Sequence, residues 1–223
     1  MDAPKLIVVT GLVKIPGHPR GHEEYARLGS RLGELRAAPV IPFRCELKDC
    51  WLDGLVRDTG VEHSVADNPN KNTLAYHVVQ HQKTAWMRQA LEADPEAEVL
   101  VWIDYGIFHQ PGISVEVIDK FLAQAREETA IAIPGCWERA SSIDAIDLAN
   151  PCWRFCGSSL ICHRRYLEAF DAAIRDDVTA RLKSTNRVSW EVNAWARVEM
   201  GNTLPIRWYR GDHNQTQFTG YVA

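Results

Sequence analysis

Short runs of apolar, largely β-branched residues alternate with helix-like patterns along the 223 residues of this chain. Apolar runs bounded by turn signals are typical of buried strands, whereas apolar residues spaced three and four apart are typical of helices that pack on a sheet. Their alternation predicts an α/β fold with a mostly parallel central sheet flanked by helices. The predicted strands are LIVVTGLV (6–13), PVIPF (39–43), EVLVWID (98–104), TAIAIPG (129–135), the start of RFCGSSLICHRRYLEAFDAAI (154–174) and LPIRWY (204–209).

The helical patterns lie between these runs. The predicted helices are 22–38, 73–93, 114–127, the second part of 154–174, and 188–200. In the helix over 73–93, with Asn72 or Thr73 as its N-cap, the apolar face comprises Ala75, Val79, Trp86, Ala90 and Ala93. Residues 45–69 show no clear pattern, and the polar stretch 210–223 predicts a tail laid over the surface rather than a core element.

Composition and charge argue against several functions. The net charge is −4, so no global basic field would attract nucleic acid or an anionic membrane. The start lacks a signal-peptide pattern, and no apolar run approaches the roughly 20 residues that span a bilayer. We therefore expect a cytoplasmic protein with six reduced cysteines. The spacing disfavours a structural zinc site at Cys152, Cys156, Cys162 and His163, because no C-x-x-C pair occurs.

One aspartate stands at the end of the most apolar predicted strand. Val99 to Ile103 would be buried on both faces, so Asp104 would emerge at the carboxyl edge of the sheet, where ligands of open α/β sheets collect. Gly106 allows a tight turn and the close approach of a ligand. A carboxylate at this position would hold a cation, accept a proton or only cap a turn, and the spacing leaves these alternatives open.

Two blocks of sequence resemble a known family. NPNKNTLAYHVVQHQK, followed further along by VLVWIDYGI, resembles the HtrL/YibB-like bacterial family, whose members carry a similar N-P-N-K block and a W-I-D-[FY]-G segment. That family is similar to glycosyltransferases of the GT-A fold. The resemblance extends from Asn68 to Ile107 and, more weakly, to the opening strand, FCGSSLI, WEVN and the tail. It implies a single GT-A-like (Rossmann-like) domain over residues 1–223.

The resemblance also implies a cation site. GT-A enzymes place an Asp-x-Asp motif at the end of a central strand, where a carboxylate holds Mn²⁺ or Mg²⁺ against the donor diphosphate. Asp104 stands at that place, but the chain has Asp104-Tyr105-Gly106, without a second carboxylate. Many GT-A enzymes supply a further ligand from the C-terminal segment, and His213 is the residue implied here.

Small residues are implied beside the donor. In GT-A folds the loop after the first strand holds the nucleoside, and Thr10 with Gly11 would make that contact. Gly157 and Ser158 are predicted inside a strand, where glycine often marks the close approach of a ligand, and the resemblance implies that they lie beneath the donor sugar. A plain bulge would explain the same glycine. The chain contains neither G-x-x-x-x-G-K-[ST] nor G-x-G-x-x-G, which argues against a P-loop kinase and a dinucleotide dehydrogenase.

Polar residues on two predicted helices complete the implied site. Tyr76, Gln80 and Lys83 lie along one helix face and would contact the sugar or diphosphate, although a solvated charged face would show the same spacing. Glu191, at the start of a helix, is implied to contact the acceptor and to remove its hydroxyl proton, with Asp212 as the second candidate. A carboxylate in the first turn of a helix is also explained by the helix dipole alone.

The resemblance therefore implies a metal-dependent glycosyltransferase. It would transfer a sugar from a nucleotide sugar, with a UDP-sugar favoured, to a hydroxyl acceptor such as a bacterial surface glycan presented at the inner membrane face. Three alternatives remain open at this point. They are a nucleotidyltransferase, a glycosyltransferase that acts on a modified nucleic-acid base, and a non-catalytic protein that binds a nucleotide or carbohydrate.

Overall fold

The computed structural model describes residues 3–15, 17–18, 21–66 and 68–223. The strands are β1 (Leu6–Val13), β2 (Val40–Cys45), β3 (Glu62–His63), β4 (Val99–Ile103), β5 (Ile131–Gly135), β6 (Ser159–His163), β7 (Arg187–Val188) and β8 (Ile206–Arg210). The α-helices are α1 (His22–Ser30), α2 (Asp53–Val56), α3 (Leu74–Gln80), α4 (Lys83–Ala93), α5 (Val115–Ala125), α6 (Arg164–Thr185), α7 (Glu191–Met200) and α8 (Thr216–Thr219).

Six of the strands form one sheet in the order β2-β1-β4-β6-β5-β8. β1 runs parallel to β2 and to β4, and β5 runs parallel to β8, whereas β6 is antiparallel to both of its neighbours. The predicted α/β fold with a mostly parallel central sheet is therefore confirmed. β3 and β7 form a separate parallel pair.

The adjacent interior strands β1 and β4 are buried on both faces, which explains their largely apolar sequences. Ile7 and Val9 of β1 face the core that contains Trp86 of α4, whereas Val8 points to the opposite core. The ring of Trp86 stacks on Trp102 of β4, with 5.6 Å between the ring centroids. This stacked pair fixes α4 against the centre of the sheet.

The prediction of a single long helix from Thr73 is wrong, because the structure contains two helices in this region, α3 and α4. Of the two predicted N-cap residues, Thr73 is the N-cap of α3, since its side chain accepts a hydrogen bond from the backbone N–H of Tyr76. Trp51 holds the break between the helices. Its backbone N–H donates to Oε1 of Gln82 at 3.0 Å, and its indole N–H donates to the carbonyl of His81 at 2.8 Å. The carbonyl of His81 would otherwise accept a hydrogen bond within a continuous helix.

The break also changes which residues are buried. Ala75 and Val79 are only half-buried, and Ala93 is exposed, although all three were expected on the apolar face. α3 buries His77 and Val78 instead. The break interrupts the periodic pattern, so one apolar face does not continue from α3 into α4. Ala93 is the last residue of α4.

β1 has its predicted limits, whereas β6 begins later than predicted, and both results change the positions of predicted site residues. β1 continues through Thr10 and Gly11 to Val13, so neither residue lies in a loop after the strand. β6 begins at Ser159, so Gly157 and Ser158 lie in the turn before the strand and not inside it. Helix α1 is also shorter than predicted, because a 3-10 turn replaces it after Ser30.

The C-terminal stretch contributes to the core, so the prediction of a tail on the surface is wrong. Gln217, Phe218 and Tyr221 are all buried. The rings of Phe218 and Tyr221 contact Phe121 of α5 at centroid distances of 5.1 and 5.4 Å. The two aromatic residues are three positions apart and share one face, so a stretch that is polar on average still buries one side.

Among the described residues, every helix is too short or too polar to cross a lipid bilayer.

We expect Phe218→Ala to lower the free energy of unfolding by about 3–5 kcal/mol, because it opens a cavity in a closed core beside Phe121. Urea unfolding followed by circular dichroism measures the change. Val222→Ala removes an exposed apolar side chain nearby and is the control, with an expected change within about 0.5 kcal/mol. Equal, small changes in the two variants would contradict the burial of the C-terminal stretch.

Candidate functional site

A cavity of about 410 Å³ opens beyond the carboxyl ends of β1 and β4. Ligands of open α/β sheets bind at this edge. The ends of β1 and β4, the beginnings of α4 and α7, the turn before β6 and the segment after β8 all contribute to its walls. The predicted site residues that line the cavity are Gly11, Tyr76, Gln80, Lys83, Asp104, Gly157, Ser158, Glu191 and His213.

The ammonium group of Lys83 is the centre of this site. Lys83 Nζ donates to Oε1 of Glu191 at 2.8 Å and to the carbonyl of Gly157 at 2.6 Å. It also lies 3.2 Å from Oδ1 of Asp104. Only 3% of the Lys83 side chain and 4% of the Glu191 side chain is exposed, so this ion pair is largely withdrawn from water. We call Lys83, Asp104 and Glu191 the lysine–carboxylate cluster.

The charges of the cluster stabilise one another. Burial acts to lower the pKa of Lys83, but the negative charges of Asp104 and Glu191 outweigh it, so that the pKa is raised. Burial acts to raise the pKa of Glu191, but the charge and hydrogen bond of Lys83 outweigh it, so that the pKa is lowered. Lys83 and Glu191 are therefore both ionised at neutral pH.

A glycine is required beside Glu191. A Cβ atom on Gly157 would lie 2.1 Å from Oε1 of Glu191, closer than two such atoms can approach. Among the described residues, Oε2 of Glu191 is buried without a hydrogen-bond partner. A buried carboxylate oxygen without a donor is costly unless a ligand satisfies it, and Glu191 lines the cavity. Within the described ranges, the arrangement thus leaves one oxygen of Glu191 without a donor at a residue that borders the cavity.

Asp104 is held by its own strand and by the turn before β6. Its backbone N–H donates to the carbonyl of Ser158 at 2.9 Å. Its Oδ1 accepts a hydrogen bond from the indole N–H of Trp102 at 2.8 Å, in addition to the contact with Lys83. These donors lie beside the cavity, so the carboxylate is directed there rather than used to cap the turn that follows β4.

Two predicted site residues lie elsewhere. Thr10 is buried and points to the opposite face of β1 from Gly11, so its expected contact with a nucleoside is not supported by its position. Asp212 is not part of the cavity wall. Its exposed carboxylate accepts hydrogen bonds from the backbone N–H of His213 at 2.6 Å and from the thiol of Cys136 at 3.3 Å.

Aromatic residues that the sequence motifs did not indicate form another wall of the cavity. Trp190 contacts Tyr76 with 5.8 Å between ring centroids and Trp153 with 6.0 Å. Trp153 in turn stands edge-on to His213 at 4.6 Å. The count of eight tryptophans was the signal in the sequence, but composition does not say which of them share a surface.

His213 also belongs to a second group of polar side chains. Its Nδ1 faces Sγ of Cys156 at 3.9 Å and Oδ1 of Asp212 at 3.3 Å. The hydrogen bond from Cys156 lowers the pKa of Cys136 to about 6. Burial acts to lower the pKa of His213, but its bonds to Cys136 and Asp212 outweigh this and raise it. The sequence did not indicate Cys136 at all.

No family model and no curated protein matches the chain. Among solved structures, it is similar to a glycosyltransferase involved in the glycosylation of the major capsid of PBCV-1, with 13% identity over 94% of this chain and 82% of that one and a TM-score of 0.50. The fold is GT-A-like. A 4-diphosphocytidyl-2C-methyl-D-erythritol synthase from Anaerococcus prevotii also matches, with 13% identity over 100% of this chain and 93% of that one and a TM-score of 0.41. Membership of the HtrL/YibB-like family is not shown by these similarities.

Asp104 suits a divalent cation in part. In the described part of the chain, both donors to its carboxylate approach Oδ1, which leaves Oδ2 for a metal ion. Mg²⁺ commonly binds through one or two carboxylates together with substrate phosphates and water, so one such oxygen is an adequate protein ligand. His213 lines the same cavity, but its Nδ1 faces two thiols and Asp212. A cation shared by Asp104 and His213 stays a prediction.

We expect Lys83→Met to lower the free energy of unfolding by about 3–5 kcal/mol, because it leaves the buried carboxylate of Glu191 without a counterion. Urea unfolding measures the loss. Combining it with Glu191→Gln removes the unpaired charge, so the double variant should be more stable than Lys83→Met alone. A double variant that loses the sum of the two single effects would contradict the pairing.

The stability of the protein should also depend on pH through Glu191. Its folded-state pKa lies below the ordinary value of 4.5, so its contribution is complete above about pH 4.5 and is lost as the pH falls through the folded-state pKa. The difference in unfolding free energy between wild type and Glu191→Gln should therefore stay constant from about pH 7 to about pH 4.5 and narrow as the pH falls further. Urea unfolding at a series of pH values measures it, and a difference that stays constant below about pH 4.5 would be inconsistent with the lowered pKa.

Proposed function

We propose that this protein is a glycosyltransferase that transfers a sugar from a nucleotide-sugar donor to a hydroxyl acceptor. The observation that carries the proposal is the lysine–carboxylate cluster, which lines a cavity at the carboxyl edge of a GT-A-like sheet. A cavity of about 410 Å³ falls within the range of about 300–1,000 Å³ typical of small-molecule sites.

The charge of the cluster supports the use of a cation. Two carboxylates and one ammonium leave one negative charge beside the place where a donor diphosphate would lie, and a diphosphate would be repelled there. A divalent ion, Mn²⁺ or Mg²⁺, would bridge the two negative groups, with Oδ2 of Asp104 as its protein ligand. Such an ion stabilises the negative charge that develops on the diphosphate leaving group.

Glu191 is the better placed of the two candidates for the acceptor base. It is ionised at neutral pH, which is the form that accepts a proton, and its Oε2 has no donor among the described residues. Lys83 holds its Oε1 and so fixes the direction in which Oε2 points. Asp212 lies outside the cavity wall, so an acceptor hydroxyl would meet Glu191 first.

The aromatic wall suggests how the donor is held. The rings of Tyr76, Trp153 and Trp190 offer flat apolar surfaces to a sugar ring or a nucleobase, and Gln80 adds an amide beside them. Gly157 and Ser158, at the floor of the cavity, would lie under the donor sugar. We retain a UDP-sugar as the donor and a bacterial surface glycan as the acceptor, with the protein acting at the cytoplasmic face of the membrane.

Thermal unfolding with nucleoside diphosphates and nucleotide sugars, each with and without Mn²⁺, tests the proposal. We expect one nucleotide series to raise the unfolding midpoint in the presence of Mn²⁺, since a ligand at a hundredfold excess over its dissociation constant stabilises the native state by about 2.7 kcal/mol. Asp104→Asn should abolish the shift. Asp176→Asn, at an exposed position on α6, is the matched control and should keep it.

A measurement of the nucleoside diphosphate released from the stabilising nucleotide sugar then distinguishes an enzyme from a non-catalytic binding protein. Release that depends on Glu191 supports the transferase. A stabilising ligand that is never turned over with any hydroxyl acceptor would indicate a non-catalytic binding protein. No stabilisation by any nucleotide would contradict the proposal as a whole.

A further inference from the structure

Four potential metal ligands meet next to the cavity. Cys136 follows β5, Cys156 precedes β6, and Asp212 and His213 follow β8. The amino end of the antiparallel strand β6 lies beside the carboxyl end of β5, and β8 is the other neighbour of β5. The topology thus brings three distant parts of the chain to one edge of the sheet. We call these four residues the thiol–histidine cluster.

The ligand atoms of Cys136, Cys156 and His213 all lie within 4.8 Å of one another, and the carboxylate of Asp212 approaches two of these three residues. The two sulfur atoms are 3.6 Å apart, and Sγ of Cys156 is 3.9 Å from Nδ1 of His213. Oδ1 of Asp212 is 3.3 Å from Sγ of Cys136 and 3.3 Å from Nδ1 of His213. Zinc bonds of about 2.3 Å to sulfur and about 2.0 Å to nitrogen or oxygen place tetrahedral ligands about 3.3–3.8 Å apart. A zinc ion would therefore fit among the atoms of Cys136, Cys156 and His213 with small side-chain movements, and the exposed carboxylate of Asp212 would move further to join them.

We propose that Cys136, Cys156, His213 and Asp212 bind a structural zinc ion. Two thiolates with an imidazole and a carboxylate are a donor set that zinc accepts, whereas Mg²⁺ and Mn²⁺ favour oxygen ligands. A disulfide is the other chemistry open to the two cysteines. It requires a sulfur–sulfur bond of about 2.05 Å and gives no reason for His213 and Asp212 to converge on the pair.

The ion would fasten the segment after β8 to the ends of β5 and β6. His213 contacts Trp153 edge-on, and both residues line the cavity, so the ion would set the position of this wall. Four protein ligands leave no open coordination position, so the zinc would have a structural role and take no part in the reaction. The proposal does not rest on the glycosyltransferase function.

Zinc binding by the reduced, metal-stripped protein tests the proposal. We expect one Zn²⁺ per chain in competition with a chromophoric chelator, a higher unfolding midpoint with Zn²⁺, and a thiolate charge-transfer band when Co²⁺ replaces it. Cys136→Ser and His213→Gln should each weaken zinc binding at least about tenfold. Mutation of residues that only hydrogen-bond to metal ligands already lowers affinity by this factor, so the loss of a ligand should cost at least as much. Circular dichroism of the metal-free variants checks that they fold.

The chain offers a matched control for the thiols. The sulfur atoms of Cys45 and Cys50 are 4.0 Å apart, but among the described residues this pair belongs to no group of three metal donors. Cys45→Ser should therefore bind zinc as the wild type does. Asp104→Asn should also keep zinc binding, which separates this site from the proposed nucleotide site.

Three results would overturn the zinc proposal. The first is a reduced wild-type protein that binds no Zn²⁺ at stoichiometric concentrations. The second is a loss in Cys45→Ser as large as that in Cys136→Ser, because zinc would then lack a specific ligand set. The third is a Cys136–Cys156 disulfide in the purified protein whose reduction does not create a zinc site.

Discussion

The burial of the Lys83 ammonium is the constraint on which the candidate site depends. An ion withdrawn from water must be paired, since an uncompensated buried charge costs several kcal/mol. Its partners are the carboxylate of Asp104 after β4, the carboxylate of Glu191 at the start of α7, and the carbonyl of Gly157 before β6. Three chain segments far apart in sequence are therefore tied to one nitrogen atom, and none of them moves without breaking an ion pair or a hydrogen bond.

The interruption between α3 and α4 belongs to the same arrangement. It places Lys83 in the first turn of α4, with the ammonium at the end of β4 rather than on the side of a continuous helix. Trp51 makes the break stable by bonding to the polar groups of His81 and Gln82. Gly157 then provides the space in which Glu191 approaches the ammonium. The helix break, the hydrogen bonds of Trp51 and the glycine at position 157 thus all contribute to the position of the Lys83 ammonium and its partners.

Local patterns in the sequence predicted the six strands of the main sheet and their order along the chain, because strand burial repeats over a few residues, but they did not predict β3 and β7. The break after α3 was not predictable, since Trp51 lies 30 residues before the groups that it bonds. Resemblance indicated Lys83, Asp104, Glu191 and His213, all of which line one cavity, but could not indicate that Lys83 joins the two carboxylates. Cys136 was not predicted as a candidate metal ligand, because its contacts with Cys156 and His213 depend on the strand order β6-β5-β8. No local sequence pattern encodes that order.

Two kinds of donor, one in the cavity wall and one next to it, would select different ions. Oxygen atoms of Asp104 and Glu191 surround an ammonium on one side, and hard cations that carry phosphate ligands suit such oxygens. Sulfur atoms of Cys136 and Cys156 lie beside His213, outside the cavity lining, and there zinc would outcompete a hard cation. His213 lies on the sulfur side through Nδ1 while its ring borders the cavity. A zinc ion that fixes the His213 ring would determine the shape of this cavity wall without occupying the site at Asp104. One ion would then have a structural role, and a different ion would take part in the reaction.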